Sequence, residues 1–203
     1  FENLLPVAAG LGGGSADAGA IFRMVERWSK LPDNWHEIAT ALIYKPATVE
    51  PLGAEAVLTS AIEPDFADNN RPALAQTFAQ VGGSESVTVV VNHLKSKGSA
   101  CVGDPDLADG AGNCNITRTK AAAALARWLA TNPTGQGAGR ELIIGDLNSY
   151  DKEDPIDALR TAGYADMLLS FQGENAYSYV FDGQLGYLDY ALANTGLVTA
   201  NSA

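Results

Sequence analysis

With 203 residues, 46% of them hydrophobic, the chain is long enough to close one full core, and no apolar run approaches the roughly 20 residues of a membrane-spanning helix. Its 13 basic against 24 acidic residues leave a formal charge of -11, which repels a polyanion unless a local basic patch or bound divalent cations reverse the field. That balance excludes coating of nucleic acid by overall charge, and it also serves ordinary solubility.

The first stretch, Leu5 to Ala20 (LPVAAGLGGGSADAGA), reads as a glycine-rich turn leading into a helix whose apolar positions Ile21, Met24, Val25 and Trp28 recur at helical spacing. Gly12, Gly13 and Gly14 allow backbone N–H groups to approach an anion at a helix N-terminus, a phosphate-loop pattern. The plainer reading is a glycine turn capping a helix that covers the following domain. From Ile38 the grammar changes to strands, so the chain divides into residues 1–37 and 38–203.

Strands are expected at Ala41–Tyr44, where Pro46 stops the run, and at Ala75–Gln80, Val87–Asn92, Leu142–Asp146, Tyr177–Phe181 and Leu188–Leu192. Helices are expected near Thr117–Ala130 and Pro155–Thr161, and Asn132–Gly139 reads as an exposed loop. The order is α/β. Short links at Gly82-Gly83 and Asp182-Gly183 predict antiparallel neighbours, hence a mixed sheet.

Cys101 and Cys114 flank a Gly/Asp-rich stretch without periodicity (VGDPDLADGAGN), an arrangement that suits a disulfide closing a surface loop. Such a bond contributes about 3 kcal/mol in the chain-entropy model and implies an oxidising compartment; two unpaired thiols of a cytosolic protein are the alternative. No signal peptide is visible at Phe1.

Three strand ends carry chemistry. His93, one of two histidines, closes a valine run in VNHLKSKG and so emerges from a buried strand at the sheet's rim; a satisfied structural histidine is its bland reading. Asp146 and Asn148 follow Leu142-Ile143-Ile144-Gly145 with period-2 spacing that puts both side chains on one side of an extended backbone. They could share one metal and phosphate, or simply form a turn or a helix cap. Asp189 lies between Leu188 and Tyr190, where an unpaired carboxylate is costly and a histidine, arginine or metal partner is expected.

Five segments in order, YKPA from Tyr44, Arg71-Pro72 with Gln76-Thr77-Phe78, Asn92 to Gly98, Gly145 to Asn148 and Tyr177 to Gly183, resemble the endonuclease/exonuclease/phosphatase superfamily. The resemblance is to its deoxyribonuclease I-like bacterial extracellular nuclease branch and covers about Ile38 to Leu197. It implies a two-sheet, mixed, largely antiparallel α/β sandwich with outer helices. It also implies hydrolysis of phosphodiesters, DNA foremost, with Mg²⁺ as cofactor and Ca²⁺ or Mn²⁺ as alternatives. By the same resemblance His93 is the acid/base group near the scissile phosphate, Asp146 and Asn148 bind metal and phosphate, and Asp189 orients a second histidine. Arg71 matches a phosphate-contacting arginine, with a surface salt bridge as its alternative. Lys95 and Lys97 form a local positive patch for the substrate, or else a solvated strand end. Nucleic acid is the expected partner, with no membrane span and no inferable protein partner, in a secreted or periplasmic bacterial setting.

Gly12 to Asp17 (GGGSAD), by contrast, resembles the second motif of the GHMP kinases, specifically the 4-diphosphocytidyl-2-C-methyl-D-erythritol kinases, over about the first forty residues. It implies ATP at Gly10 to Ser15, while the kinase's catalytic lysine and aspartate have no counterpart here. In the nuclease pattern a metal-binding glutamate precedes the Tyr-Lys-Pro segment and an Asp-His pair follows the Leu-Asp-Tyr segment. Neither is found, so the expectation is a sandwich incomplete at both ends that hydrolyses DNA weakly or not at all. A non-catalytic phosphate-binding module is a further alternative, and phosphoinositide and sphingolipid head groups share the core chemistry.

Overall fold

Runs of Val, Ile and Ala build the centre of the sheet, and their register decides which side chains reach its rim. The computed structural model describes residues 40–200 apart from 68, 138 and 182, so the glycine-rich segment and its kinase-like helix lie outside the described residues. The described residues form eight strands: β1 Val49–Leu58, β2 Ala73–Gln80, β3 Ser86–His93, β4 Glu141–Asp146, β5 Tyr164–Asp166, β6 Tyr179–Phe181, β7 Gln184–Gly186 and β8 Asp189–Asn194. Six form a mixed sheet in the order β1-β2-β3-β4-β8-β5, and β6 and β7 form a separate two-stranded sheet. The expected second sheet is therefore, among the described residues, the β6–β7 pair.

Both glycine links turn hairpins, joining β2 to β3 and β6 to β7 as antiparallel neighbours. Among the described strands only β3 and β4 run parallel, a pairing that demands a long crossover, and the crossover carries helix α1, Asn115–Leu129. Helix α2, Asp154–Thr161, follows β4, with Pro155 in its first turn and Asp154 and Asp157 complementing the helix dipole.

Ala75, Val90, Ile143 and Leu192 are successive cross-strand partners and so lie on one face. All four are fully buried in a cluster with Ala121, Leu125, Trp128 and Leu129 of α1 and Ile156 and Leu159 of α2. Burying a side chain of this size contributes roughly 1.5–3 kcal/mol, which ties both helices to that face. Val91, Ile144 and Ala191 form the adjacent row and point the opposite way. Two residues further along the strands, on that same face, the row is His93, Asp146 and Asp189.

The expected strand at Ala41–Tyr44 is absent: these residues are irregular, and the Tyr44 ring packs on Phe78 with centroids 5.1 Å apart. The strand begins instead at Val49, after a turn closed by Thr48 N–H donating to Lys45 O at 2.9 Å. Pro51 and Gly53 hid it, yet among the described strands β1 pairs with β2 alone, and an edge strand tolerates a residue without an N–H. Its register slips between Leu52 and Ala56, next to Gly53 at φ +67°. Strand β5 and the short helices α3, Met167–Gln172, and α4, Thr195–Ala200, were not anticipated. No described helix is long and apolar enough to cross a membrane.

Candidate active site

Three neighbouring strands each end, or begin, on a titratable residue. His93 closes β3, Asp146 closes β4 and Asp189 opens β8; His93 is the cross-strand partner of Asp146, and Asp146 that of Asp189. Leu94 N–H donates to Asp146 O at 3.0 Å and Leu147 N–H to Leu188 O at 2.8 Å, so the ladder holds the row in register to its end.

The His93 Nε2 to Asp146 Oδ2 distance is 3.8 Å, too long for a hydrogen bond, and about a third of each side chain is exposed. Burial, and secondarily the charge of Arg71, lower the imidazole to about 4. Burial pushes the Asp146 carboxyl up to about 6 and the Asp189 carboxylate adds to that, against the pull of the Asn148 N–H, Arg71 and Arg118. Burial also raises Asp189. At neutral pH the row therefore holds a neutral imidazole beside a largely ionised carboxylate, both in their basic forms and without an ion pair.

Backbone geometry fixes the turn after β4. Gly145 has φ +114°, and a Cβ there would meet Asn92 O at 2.1 Å, so only glycine allows the two strands this approach. Asp146 Oδ1 accepts the Asn148 N–H at 2.8 Å, and Asn148 adopts φ 48°, which asparagine tolerates. Asn148 Nδ2 donates to Leu94 O at 2.9 Å, tying this turn to the His93 strand and orienting the amide.

Among the basic residues, Arg71 donates its backbone N–H to His93 O at 3.3 Å, and among the described residues it makes no ion pair. Lys95 Nζ donates to the carbonyls of Ser96 and Ser99, each at 3.1 Å. Lys97 is engaged more tightly: it pairs with Glu153, donates to Gly110 O at 3.4 Å and sits 4.5 Å from the centroid of the Tyr150 ring. Burial lowers Lys97 and raises Glu153, each against the attraction of its partner.

Cys101 and Cys114 form a disulfide, and the loop it closes is well supported. Asp104 caps α1 by accepting the N–H groups of Ile116 at 3.2 Å and Thr117 at 2.7 Å. The residue that sequence reasoning missed is Arg118, fully buried in the first turn of α1. Set in NITRTKAAAALARWL, it reads as part of a solvated helix face; its one clue is its place one helical turn after Cys114. Ser149, Tyr150 and Tyr190 lie in the motifs around Asp146 and Asp189 but had no role assigned, and Glu153 gave no signal; the Tyr190 hydroxyl donates to Ser149 O at 2.9 Å.

Among the described residues no group of three or more His, Cys, Asp or Glu side chains is gathered tightly enough to hold a metal ion alone. The donor types nonetheless suit a hard divalent cation: Asp146 and Asp189 are cross-strand partners on the β4–β8 ladder, the Asp189 charge acts on Asp146, and the nearby Asn148 amide has its nitrogen already committed.

No family model matches the chain. The catalytic domain of human Nocturnin superposes with a TM-score of 0.52 at 20% identity, over 74% of this chain and 50% of that one. An endonuclease/exonuclease/phosphatase family protein of Bacteroides thetaiotaomicron gives a TM-score of 0.50 at 14% identity, over 75% and 54%. The fold is that of endonuclease/exonuclease/phosphatase structures. The chain spans about half the length of these neighbours.

A separate likeness in sequence is to 4-diphosphocytidyl-2-C-methyl-D-erythritol kinases. The protein of Novosphingobium aromaticivorans is 66% identical over 51 residues, 25% of this chain and 18% of the kinase. That of Erythrobacter litoralis is 66% identical over 42 residues, 21% of this chain and 15% of the kinase.

Proposed function

We propose that the protein is a metal-dependent phosphodiester hydrolase of the endonuclease/exonuclease/phosphatase family, that its substrate is nucleic acid, DNA foremost, and that it acts outside the cytoplasm. The observation that carries this reading is the His93–Asp146–Asp189 row at the end of three adjacent strands, with Arg71 beside it. A neutral imidazole can orient the attacking water or donate a hydrogen bond to a phosphate oxygen, and its low affinity for protons keeps it neutral across the physiological range.

Asp146 and Asn148 would hold Mg²⁺ with Asp189 close by, and the ion would supply charge neutralisation at the phosphate. Arg71, without a carboxylate partner among the described residues, offers the two-pronged donor that phosphate oxygens accept. Lys95 and Lys97 flank the row, Lys95 being the cation less engaged by carboxylates. The disulfide supports an oxidising compartment, since such bonds are rare in reducing cytosol. The kinase likeness spans under a fifth of the kinases' length, so their activity is not carried to this chain.

Nicking of supercoiled plasmid by the purified protein tests the reading. Slow cleavage that requires Mg²⁺ and stops with EDTA is expected, since the metal-binding glutamate and the Asp-His pair of the resembled pattern are not found in this chain. DNA binding without cleavage under Mg²⁺, Mn²⁺ or Ca²⁺ would replace the hydrolase with a non-catalytic phosphate-binding module.

A further inference from the structure

A wholly buried guanidinium is costly unless every donor is used, and Arg118 uses its donors on three separate segments. Nε donates to Ser149 Oγ at 3.2 Å; Nη1 donates to Lys95 O at 3.3 Å and Asn113 O at 2.6 Å; Nη2 donates to Ala111 O at 2.7 Å. Among the described residues no carboxylate pairs with it directly, and its charge is balanced at longer range by Glu153, Asp104 and Asp146.

The placement of those acceptors is what matters. Lys95 lies two residues beyond His93, and Ser149 follows Asn148. Ser149 is gripped a second time where the Tyr190 hydroxyl donates to its carbonyl, and Tyr190 adjoins Asp189. One side chain thus bridges the segments that follow β3 and β4 and, through Ser149, reaches β8. The other half of its cradle, Ala111 and Asn113, belongs to the loop that the disulfide closes. That loop also holds Lys97 in place, since Asn113 Nδ2 donates to Lys97 O at 3.1 Å. Arg118 N–H itself donates to Cys114 O at 3.0 Å, so the helix turn bearing the guanidinium starts from the bridged cysteine.

We infer that Arg118 is a positioning residue for the His93–Asp146–Asp189 row, and that the Cys101–Cys114 loop acts on the row through it. The inference rests on the proposed hydrolase reading. Neither Arg118 nor the disulfide touches the row; each sets the spacing of the segments that follow it. Misplacement by about an ångström is enough to cost a rate on the order of 10²-fold.

The test is steady-state hydrolysis of bis(p-nitrophenyl) phosphate with Mg²⁺ by the full protein. It compares wild type, His93→Ala, Arg118→Lys, Arg118→Ala and the double variant Cys101→Ser/Cys114→Ser, with thermal melts to establish folding. Arg118→Ala is expected to lose about 10- to 100-fold in kcat with KM within about twofold of wild type, the signature of lost transition-state geometry. Added guanidinium restores part of that loss. Arg118→Lys remains impaired because one ammonium cannot span the acceptors. The cysteine variant is also slow in the wild-type background but adds little to Arg118→Ala, because both losses act through one device.

Wild-type kcat in folded Arg118→Lys and Arg118→Ala overturns the inference, as does full additivity with the cysteine variant. Failure of both Arg118 variants to fold overturns it too, because the residue is then scaffold alone. If His93→Ala is as active as wild type, the hydrolase reading fails first, and that outcome is distinct from all of these.

Discussion

His93 Nε2 stands 3.8 Å from Asp146 Oδ2, and the environment works against charging either through protonation of the imidazole or ionisation of the carboxyl. The imidazole is lowered from 6.5 to about 4, so between those values the unfolded chain binds more protons and stability falls as pH drops. The carboxyl is raised from 3.8 to about 6, so there the folded chain binds more protons and stability falls as pH rises. The two slopes oppose each other over roughly pH 4 to 6. In EDTA, His93→Gln should leave the Asp146 slope exposed and become relatively more stable toward pH 4, while Asp146→Asn should do the reverse. Melting curves that keep the wild-type pH profile in both variants would contradict the assignment.

Asp146 and Asp189 are direct cross-strand partners, and like charges so placed destabilise a sheet. A divalent cation binding there stabilises the fold by mass action, about 2.7 kcal/mol at a hundredfold excess over its dissociation constant. Mg²⁺ or Mn²⁺ should therefore raise the Tm of the wild type, less so for Asp189→Asn and not at all for Asp146→Asn. Equal shifts in all three proteins would place the cation elsewhere.

Gly145→Ala should be severe although only one methyl is added. The position needs φ +114° and its new Cβ would lie 2.1 Å from Asn92 O, so backbone must move in the strands that carry His93 and Asp146. Strain of this kind costs about 1–3 kcal/mol before the clash is counted. Urea unfolding should show a loss of at least about 2 kcal/mol. A midpoint within error of wild type would mean that the two strands do not approach this closely.

Lys95 and Lys97 should part company on mutation. Lys97 and Glu153 are 20% and 12% exposed, so Lys97→Met strands a largely buried carboxylate and should cost about 3 kcal/mol, much of it recovered by adding Glu153→Gln. Lys95→Ala should leave the melt nearly unchanged and reduce the salt dependence of DNA binding by about one phosphate contact. The opposite pattern would exchange their roles.

The strands that carry the candidate row were legible in the sequence where a periodic apolar run ends on a polar residue. The valines before His93 and the Leu142-Ile143-Ile144 run before Asp146 announced strands whose bounds differ by a residue or so from those observed. Gly82-Gly83 announced its hairpin for the same local reason, a turn that needs positive φ. Strand β1 was illegible because Pro51 and Gly53 break strands in general and are tolerated only at an edge, and edge position is a tertiary fact. Lys97 and Glu153 are 56 residues apart, and Arg118 meets Ser149 across 31, so neither contact leaves a trace in local spacing. A buried arginine set among alanines has the same pattern as an exposed one.

Whether the His93–Asp146–Asp189 row hydrolyses phosphodiesters is decided by the rate of Mg²⁺-dependent plasmid cleavage by His93→Ala and Asp146→Ala against wild type. Losing a general acid/base costs about 10²- to 10⁴-fold, so both folded variants should fall by at least about 10² while their melts stay cooperative. Cleavage by either variant at the wild-type rate would contradict the account.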